Sequence, residues 1–267
     1  MTPAVPRVPK SGLRKTARVR TGLLETDLLK TGLLETGRTV ARRLFIGAML
    51  VLALGLQVPA QAMTGLFFQP QLRDQKIPDA DWQEIFGQVR RYGFDTLILQ
   101  WTRYGAAFAD GAERAWLEAR IQQARDNDLR IIIGLAADPD FFSRSLQSGD
   151  ALDAYLRRLA VNDAALARRW VASLPADAIA GWYLPAEIDD LNWRDAGRAQ
   201  RLTAYLRDSV ARLDEVLERR VYISAFFTGK MQPDRYAALL GALRRAGVRL
   251  WVQDGRGTGV LTDAEAA

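Results

Sequence analysis

Six short apolar runs constrain the fold of this 267-residue sequence more than any other feature. They are Gly65–Gln69, Asp95–Trp101, Arg130–Leu135, Ile179–Leu184, Val221–Phe227 and Val248–Gln253. Each has the length of a strand, is rich in β-branched or aromatic residues, and is apolar nearly throughout rather than at every second position. Such runs predict strands covered on both faces, as in a parallel sheet. Helical patterns lie between them, at Asp79–Arg91, Glu113–Asn127, Gly149–Ala160, Asn162–Leu174, Ala196–Glu218 and Asp234–Ala246. The first puts Trp82, Ile85, Phe86 and Val89 on one face and stops before Gly93, a good helix C-cap.

Strand–helix alternation at this rhythm predicts βα units with right-handed crossovers. The spacing suits an α/β fold of the (β/α)8 TIM-barrel type. The rival is a doubly wound sheet, which announces itself with a glycine-rich turn after its first strand. Here that turn reads QPQLRDQ. Six runs are two short of eight, so the expectation is a TIM barrel truncated after about six βα units.

Residues 63–267 would form this domain. Before them, residues 40–62 have the layout of a bacterial secretory leader. Arg42 and Arg43 precede the uncharged run Leu44–Leu56, and Ala60-Gln61-Ala62 is a small-x-small cleavage site. The run is short for a bilayer span. The expected product is therefore a periplasmic or secreted protein with no membrane span after cleavage near Ala62. Residues 1–39, with TGLLET at 21–26 and again at 31–36, read as a disordered or artefactual extension.

The net charge of +6 suggests nucleic acid only until it is located. Ten of the 37 basic residues and three of the 31 acidic ones lie in residues 1–62, which leaves 27 against 28 for the remainder. No polybasic face is left for a phosphate backbone. With no Cys and no His, thiol chemistry, Cys/His zinc sites and Ser-His-Asp triads are excluded. A general acid or base must be Asp, Glu, Lys or Tyr. No cofactor or metal is expected; Glu187, Asp189 and Asp190 lack the glycine-punctuated spacing of a calcium loop.

In a barrel the chemistry gathers at the C-terminal strand ends. After the six runs come, in order, Gln69; Gln100, Trp101, Arg103 and Tyr104; Asp138; Glu187, Asp189 and Asp190; Thr228 and Lys230; Gln253 and Asp254. Amides and acids can pair with hydroxyls and aromatic rings can stack on sugars, so this set points to a carbohydrate. Glu187 stands out: it follows a buried strand with other acids beside it, a setting that raises a carboxyl's pKa toward that of a general acid.

The stretches TGLFFQPQLRD, GFDTLILQWT, GWYLPAEIDDLNW and VQDGRG together resemble a bacterial family of glycosidase-like TIM barrels, domain of unknown function 4434, over about residues 64–260. That family is similar in pattern to the clan of retaining glycoside hydrolases, whose acid/base Glu ends strand four and whose nucleophile ends strand seven. The resemblance implies that Glu187 is the acid/base. Nothing in the chain matches the nucleophile, and Ala186 stands where the clan has Asn.

The reading is an exported glycoside hydrolase-like protein acting on a polysaccharide or oligosaccharide. Glu187 would protonate the leaving oxygen. Gln69, Gln100, Asp138, Asp189, Gln253 and Asp254 would hold hydroxyls, and Trp101, Tyr104 and Trp193 would stack on rings. The alternatives are a non-catalytic carbohydrate-binding barrel and an inactive fragment of a longer hydrolase.

Overall fold

All six apolar runs become strands of one parallel sheet. The computed structural model describes residues 63–253; the expected extension and leader, and Asp254, lie outside the described residues. In chain order the elements are β1 (Gly65–Phe68), α1 (Asp79–Arg91), β2 (Thr96–Leu99), β3 (Arg103–Tyr104), α2 (Gly111–Asp126), β4 (Arg130–Gly134), β5 (Ala136–Ala137), α3 (Phe141–Ser145), α4 (Gly149–Ser173), β6 (Ile179–Asp189), α5 (Ala196–Asp214), β7 (Val221–Phe226), α6 (Pro233–Arg245) and β8 (Val248–Gln253).

The main sheet runs β1-β2-β4-β6-β7-β8, and β3 pairs with β5 in a small second sheet. Every neighbouring pair is parallel. The order of the main sheet follows the chain without reversal. A doubly wound sheet reverses direction at a switch point; a barrel does not.

The sheet is curled. Phe67 on β1 lies 5.3 Å, centroid to centroid, from Trp251 on β8, and both rings meet Tyr183 of β6 edge-on or tilted. The two outermost strands thus touch across the concave side. Ile98, Ile132, Tyr183 and Tyr222 form a small buried cluster there. The alternate residues Leu97, Leu99, Ile131, Ile133, Trp182, Leu184 and Ile223 belong to the larger core, which also takes in Trp82, Phe86, Leu117, Trp170, Leu206 and Leu243 of the helices. Burial of both faces is why the runs are apolar throughout.

Two elements differ from the sequence expectation. The patterns Gly149–Ala160 and Asn162–Leu174 form the single 25-residue helix α4. Asn162 and Asp163 read as a break because short polar residues favour caps. Asp163 instead sits mid-helix and accepts the Ala136 N–H at 3.0 Å. Strand β6 also outruns its apolar stretch by five residues, to Asp189. Its register with β7 shifts between Leu184 and Ile188, where Pro185 has no N–H to give the ladder. Bulges of this kind re-aim side chains, and Glu187 lies in this one.

Candidate functional site

The C-terminal strand ends are built from the backbone outward. Gly134 of β4 comes so close to β2 that an added Cβ would stand 2.1 Å from the Leu99 carbonyl oxygen, and Gln100 is held in that contact. Next along the chain, the buried Thr102 hydroxyl donates to the Gly134 carbonyl and accepts from Trp170 Nε1 of α4, both at 2.8 Å. This pins the segment that carries Trp101 and Tyr104. The Trp101 indole donates to the Pro70 carbonyl, and its ring lies 5.0 Å from that of Tyr104. Tyr104 is fixed again through β3–β5 pairing, which Asp163 supports from below.

The carboxylates at this end divide sharply. Asp190 is fully buried and accepts four hydrogen bonds, from Thr228 N and Oγ1, Lys230 N and Met231 N. Burial pushes its pKa up, but these bonds outweigh burial and hold it below the usual carboxylate range. Asp189 is also buried and accepts from Leu191 N, Asn192 N and Asn192 Nδ2. Asp138 accepts from Asp140 N and the Tyr155 hydroxyl and faces Arg144 at 3.6 Å. All three shape loops.

Glu187 does not. Its one hydrogen bond among the described residues is a long one, 3.4 Å, from Gln100 Nε2. Burial raises its pKa above the usual value, and the Gln100 bond only partly offsets this. The buried phenol of Tyr183 lies close enough to feel the Glu187 charge; burial and that charge hold it well above its ordinary value. Tyr183 in turn donates to the buried Ser224 hydroxyl at 2.9 Å. A half-buried carboxyl that holds its proton more tightly than usual and is not tied into a loop can deliver a proton.

Gln100 therefore meets Glu187, and Trp101 and Tyr104, on the segment that follows Gln100, form an aromatic pair. Gln69 and Gln253 are exposed at the ends of the two outermost strands. Trp193 corrects an expectation: it is 1% exposed and has no face for stacking. Its ring is covered, with the Arg198 guanidinium 5.3 Å away. Tyr183 and Ser224 were not singled out from sequence, although alternation in VYISAFF already places Ser224 on the face of Tyr222. Cavities of about 690 Å³ and 740 Å³ lie elsewhere, at the N-terminal strand ends and between α5 and α6. No group of three or more carboxylates among the described residues is arranged to hold a metal ion.

Over residues 63–267 the chain matches the family described as domain of unknown function, DUF4434. It belongs to that family. It is also 45% identical over 220 residues to the uncharacterized protein YbcH of Escherichia coli (strain K12), covering 82% of this chain and 74% of that one. Among solved structures, the DUF4434 chain is similar to a Bacteroides thetaiotaomicron protein assigned as an alpha-L-fucosidase, at 15% identity and a TM-score of 0.51. That match covers 72% of this chain and 64% of the other, so the chain spans less than two thirds of the solved relative. At such identity the likeness is one of fold, a glycosidase-like α/β arrangement with a curled parallel sheet.

Proposed function

We propose that this protein acts on the glycosidic bonds of a polysaccharide or oligosaccharide, with Glu187 as general acid. The observation that carries the reading is the division of the acids. Asp138, Asp189 and Asp190 are tied into loops, whereas Glu187 keeps a free, half-buried carboxyl with a raised pKa. Gln100 orients it; Gln69 and Gln253 hold hydroxyls; Trp101 and Tyr104 offer ring faces. The sequential strand order supports an eight-stranded barrel as the parent architecture, with the six described strands as its arc.

General acid catalysis contributes about 10²–10⁴-fold. Glu187→Gln should remove that factor from turnover, measured as reducing ends released from a glycan panel, and leave glycan binding intact. Unchanged turnover would end the assignment. A binding-only reading is favoured by one observation: at the described strand ends no second carboxylate is left untied to pair with Glu187, as two-carboxylate hydrolysis requires. Binding without turnover by the wild-type protein would select it. Export through the leader at 40–62 belongs to the same proposal. N-terminal sequencing of the periplasmic fraction should then read from Met63, and a retained Arg42-Arg43 segment would contradict it.

A further inference from the structure

Two grooves flank α5, and their arginines differ. On the α4 side the groove is lined by Arg157, Arg201 and Arg212 together with Asp153 and Asp208; Arg201 and Arg212 are paired with those two carboxylates. On the α6 side a groove of about 740 Å³ is lined by Arg194, Arg207 and Arg235, and no carboxylate lines it. None of these three arginines has a hydrogen-bond or ion-pair partner among the described residues. Alanines of both helices, with Leu239 and Met231, supply its apolar lining. The buried Trp193 borders it as well. The groove on one side of α5 carries two carboxylates of its own; the other is a cationic trough with none.

We propose that this groove binds an acidic glycan, the carboxylates of successive sugars meeting Arg194, Arg207 and Arg235. This rests on the carbohydrate reading above and narrows it to uronate-bearing polymers. Guanidinium forks match carboxylates two bonds at a time, and the apolar lining of alanines, Leu239 and Met231 suits sugar faces. Arg207 lies 11 positions into α5 from Ala196, roughly 17 Å along the helix at about 1.5 Å per residue, and Arg194 precedes the helix. Such a span holds several sugar units. Trp193 and Met231 lie in the segments that follow β6 and β7, so the groove opens at the end of the sheet where Glu187 stands. A polymer crossing the site could continue into it.

The test uses the full chain and immobilised polygalacturonate, with its fully methyl-esterified form as the neutral control. The wild-type protein should bind the free acid about tenfold or more tightly than the ester, with affinity falling as salt is raised. The triple variant Arg194→Gln/Arg207→Gln/Arg235→Gln should lose that preference while melting like the wild type, since all three side chains are exposed. Arg212→Gln, on the other groove, should keep it. Equal binding of acid and ester, or an unchanged triple variant, would overturn the proposal. So would poly-glutamate binding as tightly as polygalacturonate, which would mark a protein partner. Glu187→Gln should leave this binding untouched, so failure of the groove and failure of the proposed acid are read separately.

Discussion

Glu187 and Asp190 stand three positions apart, and their partners give them opposite tasks. Asp190 faces three backbone N–H groups and a hydroxyl from the segment after β7. Asp190→Asn would turn an acceptor into a donor aimed at donors. It is expected to cost about 2–3 kcal/mol of stability, read by urea denaturation; a loss below about 0.5 kcal/mol would contradict this account. Because its pKa is lowered on folding, the stabilisation from Asp190 is present above the unfolded carboxylate value, about 3.9, and is lost as pH falls through the lower folded value. The sequence shows three acids converging after the fourth apolar run. It does not show which are tied, because the Asp190 donors are 38 to 41 residues away. Trp193 eluded sequence reading for the same reason: it is buried in the main core, among residues distant in the chain such as Leu202, Tyr236 and Leu239.

Among the elements, α4 and β6 decide how firmly the site is held. Asp163 of α4 is 2% exposed. Burial pushes its pKa up to about 7, against smaller lowering by the Ala136 N–H and by Arg103; the Tyr205 hydroxyl also feels its charge. A raised acid stabilises the fold fully below its unfolded value and ceases to do so as pH rises through about 7. Asp163→Asn keeps an acceptor for Ala136 and removes the titration. It should stabilise the fold at pH 8 by about 1–3 kcal/mol more than it does at pH 5, read as a Tm gap between variant and wild type that widens as pH rises. Parallel pH profiles for wild type and variant would refute this. Helix α4 was legible as helix but not as one helix, since only a long-range bond explains an Asp at its middle. Strand β6 was legible as far as Leu184; its polar extension, which carries Glu187, is held by pairing with β7 and leaves no apolar signature.

For the molecule as a whole, periodicity and spacing carried the architecture. Both-face burial writes itself into continuous apolar runs, and all six runs became strands in the order expected of a barrel. The curl of the sheet is what the barrel expectation implies; the particular contact of Phe67 with Trp251 was not legible, because it depends on cumulative strand twist rather than on any local pattern. Under the proposed function, Glu187 donates a proton to a departing glycosidic oxygen. A general acid matters most when the leaving group is a poor one. The most direct measurement is therefore kcat/KM of wild type and Glu187→Gln on paired aryl and alkyl glycosides of the same sugar. The account predicts a loss of about 10²–10⁴-fold for the alkyl leaving group and a much smaller loss for the acidic aryl one. Equal losses for both, or no turnover of either by the wild-type protein on any sugar that it binds, would contradict it.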